Sequence, residues 1–106
     1  MVKWTYRYTL DALDDMKKLD KSQRVQVQKA ILKVAQNPLP ITEGGYGKPL
    51  GNHNDSKLAG YLKIKLLKLG IRVVYRLERI GNEMVIVVVG LRSDEEVYKE
   101  AEKRAK

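Results

Sequence analysis

The stretch LKIKLLKLGIRVVYRL at residues 62–77 decides the fold, because apolar and polar residues alternate in two arms around a glycine. Such alternation is typical of half-buried β-strands, and Gly70 suits a tight reversal because glycine readily adopts positive φ. With residues 67–70 as the loop, Leu66 lies opposite Ile71 and Lys65 opposite Arg72. The apolar face of this hairpin then consists of Leu62, Ile64, Leu66, Ile71, Val73 and Tyr75. The opposite face gathers Lys63, Lys65, Arg72 and Arg76.

This basic face is the first indication of function. The six basic residues between Gly60 and Arg79 (Lys63, Lys65, Lys68, Arg72, Arg76 and Arg79) stand against a single acid, Glu78. Like charges on neighbouring strands repel each other and lower stability when no anion neutralises them. Lysine-rich strand surfaces also occur as ordinary solvated faces that protect sheet edges. The density of charge here favours an anion-binding face.

Composition limits the class of protein. With 106 residues, the chain is expected to form a single domain over residues 1–106. A net charge of +8 and a pI near 9.7 favour a polyanionic partner: nucleic acid, the ribosome or an acidic protein. The absence of cysteine excludes disulfides and thiolate metal sites. The N-terminus lacks a signal-peptide pattern and the apolar runs are short, so we expect a cytoplasmic protein with no membrane partner.

The N-terminal third predicts a strand followed by two helices. Alternation over residues 2–8 favours the strand, and Thr9 suits the N-cap of a helix over residues 10–19. The core-facing side of that helix is expected to carry Leu10, Leu13 and Met16. A second helix begins at residues 20–22 and stops before Pro38; its apolar residues are Val27, Ile31, Val34 and Ala35. With so short a link, the two helices are expected to pack as an antiparallel hairpin on one sheet face.

Residues 38–60 differ in composition, since they contain all three prolines and the only histidine, His53. Such a composition predicts a long surface loop, an element that often carries function. Histidine has an unperturbed pKa near neutrality, which suits acid–base catalysis and makes His53 a candidate. Its turn-forming neighbours and the lack of a second histidine nevertheless favour a solvated loop residue over a catalyst or a zinc ligand.

The C-terminal third predicts two more elements. Residues 84–89 are apolar at every position, as in a central strand covered on both faces, and a two-residue loop at 81–82 would place Arg72 opposite Leu91. Ser93 with Glu96 predicts a capping box at the start of a final helix, whose first turn brings Tyr98 near Arg92. The helix has a narrow apolar stripe (Val97, Ala101 and Ala105) and basic residues that suit its dipole (Lys103, Arg104 and Lys106). The fold class is therefore α+β, in the order β-α-α-β-β-β-α.

This order and the residues within it resemble the RelE branch of the RelE/ParE toxin superfamily. The match lies in LKIKL at 62–66, in GIRVVY at 70–75, and in GLR at 90–92 followed by EVY at 96–98. The resemblance implies a type II toxin that needs no metal or cofactor and cuts translated mRNA in the ribosomal A site. The catalytic residues that it implies are Lys63, Lys65, Arg72, Arg92 and Tyr98. Asp94 stands at a position that is often basic in the family, which weakens the positive field.

By this resemblance, a 2′-hydroxyl attacks the adjacent phosphate and leaves a 2′,3′-cyclic phosphate and a free 5′-hydroxyl. Fixed cations suit this reaction because negative charge builds on the phosphoryl oxygens. Lys65 is the expected base, because Arg72 opposite it disfavours a second positive charge. Arg72 and Lys63 would hold the phosphate, Arg92 would stabilise the transition state, and Tyr98 would stack on or orient a base. Lys68 and Arg76 are expected to add RNA contacts.

The resemblance also implies partners and leaves alternatives open. A cognate antitoxin would wrap the toxin as an extended, partly helical segment, and the complex would bind operator DNA through the antitoxin. One alternative is a ParE-like gyrase inhibitor, although such toxins generally lack the lysine pair and the strand-end arginine with its tyrosine. Another is a non-catalytic module that binds RNA or the ribosome, and a homologue with decayed activity is a third.

Overall fold

The computed structural model describes residues 3–50, 58–91 and 93–105. Its elements are β1 (Thr5–Tyr8), α1 (Leu10–Lys17), α2 (Lys21–Ala35), a 3-10 helix (Ile41–Glu43), β2 (Lys48–Pro49), β3 (Leu62–Leu66), β4 (Ile71–Glu78), β5 (Glu83–Gly90) and α3 (Asp94–Arg104). This is the predicted α+β order with one added strand, β2. His53, Arg92, Lys106 and the side chain of Asp94 lie outside what is described. None of the described helices has the length and apolarity needed to cross a membrane.

The strands form one sheet in the order β1-β5-β4-β3-β2, in which only β1 and β5 run parallel. The β3–β4 hairpin has the predicted register, with Leu66 opposite Ile71 and Lys65 opposite Arg72. Gly70 closes its turn at φ +68°, a conformation that L side chains rarely adopt. The central prediction from the sequence is therefore confirmed.

Helices cover both faces of the sheet. Alternate residues of β4 belong to two separate cores: Ile71 and Val73 pack with α1 and α2, whereas Val74 packs with α3. The predicted apolar residues of α2 are all buried in the first core: Val27, Ile31, Val34 and Ala35. Residues that point away from α1 and α2 therefore share their side of the sheet with α3.

The turn between β4 and β5 differs from the prediction. Glu78 lies opposite Glu83, so the loop has four residues rather than two, and Arg72 lies opposite Gly90 rather than Leu91. A two-residue hairpin turn needs positive φ at both positions (type I′) or at the first (type II′), but of Gly81 and Asn82 only Asn82 has it. The four-residue loop and a register shift between Val74 and Tyr75 together change the partner of Arg72 from Leu91 to Gly90.

The core-facing side of α1 differs from the prediction at two of the three predicted residues. Leu10 and Leu13 are 82% and 42% exposed, and the buried residues of α1 are Ala12 and Asp15. Small Ala12 allows the helix to lie close to the sheet, while Met16 packs at the margin of the core. A buried carboxylate requires partners, and those of Asp15 come from β5 and α3.

Residues 38–50 are not a plain loop. They contain the 3-10 helix and β2, which pairs with β3 and extends the sheet. The buried Tyr75 hydroxyl donates a hydrogen bond of 2.8 Å to the carbonyl of Pro38 and so fixes the start of this segment to β4. Burial raises the pKa of Tyr75 well above its ordinary value, so the hydroxyl remains a donor.

Close packing in this segment can be tested at Gly45. A Cβ added there would lie 2.0 Å from the carbonyl oxygen of Leu39, so the backbone would have to move. We expect Gly45→Ala to lower the free energy of unfolding by about 1–3 kcal/mol, measured by urea titration. Gly81→Ala is the control, because nothing lies within 4 Å of its added Cβ. Equal stability of the two variants would contradict the tight contact.

Candidate functional site

The cationic face consists of Lys63, Lys65, Arg72 and Arg76 on the α3 side of β3 and β4. Lys65 and Arg72 are direct cross-strand partners, and Lys63 lies one pair along the same face, opposite Val74. All of these side chains are half-buried. Their positions on adjacent strands confirm the predicted grouping of Lys63, Lys65 and Arg72. Their functional roles remain predictions.

Tyr98 joins this group through Lys63. The Lys63 Nζ donates to the Tyr98 hydroxyl at 2.6 Å and lies 5.4 Å from the centre of the ring. Tyr98 is 6% exposed, so most of its ring is covered by the protein. In this conformation its hydroxyl can orient the lysine, while little ring surface is open for stacking. Its predicted neighbour Arg92 lies outside the described residues.

Lys48 is a further cation on this face that sequence reasoning missed. It lies directly opposite Lys63 in the β2–β3 pair, so the two side chains share a side of the sheet. The cations therefore extend across three strands, β2, β3 and β4. A two-residue strand has no measurable period, and Lys48 lies among glycines and prolines, so no pattern in the sequence marks it.

The two predicted RNA-contacting residues lie at the margins. Lys68 is exposed in the turn between β3 and β4. Arg76 is four residues beyond Arg72 on β4, a distance of about 13 Å along the strand. It forms an ion pair with Glu78, which reduces its net contribution to the positive field. The structure thus separates Arg76 from Lys65 and Arg72.

A buried polar network, which sequence reasoning also missed, attaches the end of α3. The Arg104 guanidinium donates to Asp15 Oδ2 at 2.8 Å, to the Val87 carbonyl at 2.7 Å and to Glu100 at 2.9 Å. Burial lowers the pKa of Arg104, but hydrogen bonds and charges from Asp15 and Glu100 outweigh it and raise that pKa above its ordinary value. Arg104 therefore has a structural role beyond the predicted interaction with the helix dipole.

The described part of the site offers ammonium, guanidinium and phenol groups. Within residues 3–50, 58–91 and 93–105, no group of three or more His, Asp or Glu side chains is placed to hold a metal ion. Rigid strands hold the cations at fixed spacings. Such an array can bind a phosphate and stabilise negative charge on it.

The fold and this face define a class: a small basic α+β domain with cations on a sheet face beside a C-terminal helix. No protein-family model matches the chain, and no curated protein does. Among solved structures it is similar to Escherichia coli toxin RelE with two arginines replaced by alanine, in the free state. That similarity has 27% identity and a TM-score of 0.76, and covers 99% of this chain and 100% of that chain.

The chain is also similar to solved structures in which such a toxin is bound to its antitoxin. The same E. coli RelE mutant bound to a RelBc antitoxin peptide has 25% identity and a TM-score of 0.68, covering 94% of this chain and 95% of that chain. The RelBE2 toxin–antitoxin complex of Mycobacterium tuberculosis has 26% identity and a TM-score of 0.56, covering 86% and 100%. The resemblance found in the sequence is confirmed: the chain has the structure of a RelE-type toxin. These similarities support a toxin of a type II system with a cognate antitoxin.

Proposed function

We propose that this chain is a ribosome-dependent endoribonuclease that cuts mRNA in the ribosomal A site and so inhibits translation. The observation that carries the proposal is the alignment of Lys63, Lys65 and Arg72 on one sheet face, with Lys63 held by Tyr98. Phosphoryl transfer depends mainly on positioning and on stabilising charge. Cations on paired strands supply both without reorganisation during the reaction.

Each step has an assigned group. Lys65, in its neutral form, takes the proton from a ribose 2′-hydroxyl, whose oxygen then bonds to the adjacent phosphorus. Arg72 and Lys63 hold the non-bridging oxygens. The bond from phosphorus to the 5′-oxygen breaks, leaving a 2′,3′-cyclic phosphate, and the departing oxygen takes up a proton. Arg92, whose role rests on the family resemblance alone, would stabilise the transition state and assist this departure.

The remaining cations would bind the RNA around the cut. Lys48 faces the same side as Lys63 and would extend phosphate binding onto β2. Lys68 and Arg76 would contact the RNA farther from the cut. Phosphate contacts of this kind set position without reading sequence.

The ribosome and the antitoxin complete the proposal. Placement of the RNA by the ribosome would supply much of the acceleration, so RNA alone would be a poor substrate. An acidic antitoxin segment would cover the basic surface, and the complex would bind operator DNA through the antitoxin. These partners follow from the similarity to RelE-type toxins.

Primer extension on an mRNA in a purified translation system tests the proposal. We expect codon-phased cuts that require ribosomes, together with 2′,3′-cyclic phosphate ends, and no cuts when the same mRNA is incubated without ribosomes. Blocked translation with intact mRNA would instead identify a non-catalytic ribosome-binding inhibitor. Unaffected translation with loss of gyrase supercoiling activity would identify a ParE-like inhibitor.

Tyr98→Phe tests the role of the hydroxyl. The variant keeps the ring beside Lys63 but removes the oxygen that accepts its hydrogen bond. Because hydrogen bonds to charged groups contribute about 1.5–3 kcal/mol, we expect cleavage to slow by about 10- to 100-fold. The rate is measured in the translation system, with Tyr46→Phe as the control because Tyr46 is 52% exposed. An unchanged rate for Tyr98→Phe would leave Tyr98 with only a packing role.

A further inference from the structure

The Asp15–Arg104 pair connects α1, β5 and α3 where strand β1 has ended. β1 pairs with β5 only as far as Tyr8 and Ile86. Beyond that point β5 stays paired with β4 on one edge, while side chains bond its backbone on the edge that β1 has left. The Val89 amide donates to Asp15 at 3.0 Å, and the Val87 carbonyl accepts from Arg104 at 2.7 Å. The ion pair between α1 and the last residue of α3 is therefore hydrogen-bonded through both partners to the backbone of β5.

This pair is a tight and largely buried contact. The side chains of Asp15 and Arg104 are 7% and 13% exposed, and they meet through two hydrogen bonds of 2.8 and 3.2 Å. Glu100, one turn earlier in α3, receives a fourth hydrogen bond from the same guanidinium, in addition to those to Asp15 and to the Val87 carbonyl. A planar guanidinium can serve these acceptors at once, whereas an ammonium cannot match the same fork.

The rest of α3 has a modest apolar attachment. Its buried residues in the second core are Val97, Tyr98 and Ala101, two of which are small side chains. An isolated helix of 11 residues is marginal in water, so α3 depends on its tertiary contacts. Tyr98 lies six residues before Arg104, about 9 Å along the helix axis. A polar contact that fixes the end of α3 therefore helps to set the position of Tyr98.

We propose that Asp15 and Arg104 are positioning residues for the candidate site: by fixing the C-terminal end of α3 to β5, they hold the Tyr98 hydroxyl against Lys63. The part of this inference that concerns cleavage rests on the proposed function. Neither residue touches the RNA in this scheme. Their effect reaches the reaction through α3, Tyr98 and Lys63.

The experiment combines a nitroxide label with cleavage kinetics. The chain has no cysteine, so Lys99→Cys, at an exposed position of α3, gives a single labelling site, and Lys29→Cys gives a matched site on α2. Each is combined with Arg104→Met, with Arg104→Lys, or with the control Lys103→Met, which removes an exposed charge from the same turn. Label mobility is read by electron paramagnetic resonance. Cleavage is measured against ribosome concentration in unlabelled proteins with the same substitutions at 103 and 104.

Arg104→Met is expected to increase mobility at position 99 but not at position 29. It should lower cleavage at saturating ribosomes by about 10- to 100-fold with little change in the half-saturating concentration, because misplacement acts on the chemical step. Arg104→Lys, which keeps the charge opposite Asp15, should give intermediate mobility and rate. Lys103→Met should match the native chain in both readouts.

Several results would overturn the proposal. An unchanged label at position 99 in Arg104→Met would show that the pair does not hold α3. Greater label mobility at position 99 with an undiminished cleavage rate would show that the position of α3 does not affect the site. If Arg104→Met fails to fold, native values in Arg104→Lys would show that the bridging geometry is unnecessary. If the native chain itself does not cleave mRNA, the proposed function fails, while the labels still decide whether the pair positions α3.

Discussion

Arg72→Ala is expected to lower the rate of mRNA cleavage on the ribosome by about 10²–10³-fold, the usual loss when one fixed donor to a developing negative charge is removed. Arg72 lies directly opposite Lys65 and one pair from Lys63, so it is the guanidinium at the centre of the described cluster. Its planar fork can bind two phosphate oxygens through two parallel N–H donors, a geometry that a lysine ammonium does not offer. The loss should therefore fall on the chemical step rather than on ribosome binding.

Single-turnover kinetics with toxin in excess over programmed ribosomes would measure this effect. Arg24→Ala is the matched control: it removes the same charge from an exposed position on α2, on the other side of the sheet. Urea unfolding should show both variants within about 0.5 kcal/mol of the native chain, as is usual for substitutions outside the core. Similar slowing in both variants would indicate that total charge matters and that the cationic face has no special role.

Asp15→Ala is expected to lower the free energy of unfolding by about 3–5 kcal/mol, because it leaves the largely buried Arg104 without its main counter-ion. The Val89 amide would lose its acceptor as well. Domains of this size are stable by only about 5–15 kcal/mol, so the substitution removes a large share of the total. This loss exceeds the loss of about 1–3 kcal/mol expected for Gly45→Ala.

Urea and thermal unfolding would measure the change. Asp14→Ala is the control, since Asp14 is the neighbouring acid of α1, has a side chain that is 67% exposed and makes only a 3.9 Å contact to Lys17. That variant should differ from the native chain by less than about 0.5 kcal/mol. If the two variants lost equal stability, the Asp15–Arg104 pair would contribute no more than a surface ion pair.

Local patterns in the sequence predicted the elements that local physics governs. Alternation in the two arms of residues 62–77, with Gly70 between them, predicted the β3–β4 register residue by residue, and hence the shared face of Lys63, Lys65 and Arg72. Side-chain capping likewise predicted helix starts, because Thr9 and Ser93 bond to amides only three residues away. Such contacts depend on near neighbours in the chain, which a sequence displays directly.

Contacts between distant segments were decided only by the tertiary structure. Asp15 and Arg104 are 89 residues apart, and in sequence each resembles an ordinary charge on an amphipathic helix. Lys48 reaches the cationic face only because a two-residue strand pairs with β3, and a strand that short has no period to detect. The register shift between Val74 and Tyr75 also depends on tertiary packing, because β4 and β5 contribute side chains to the cores on both faces of the sheet.

The sequence by itself thus determined the fold class and the central cations. The packing of remote elements determined how α3 is held, and with it where Tyr98 meets Lys63, because burial and pairing depend on partners that lie far away along the chain.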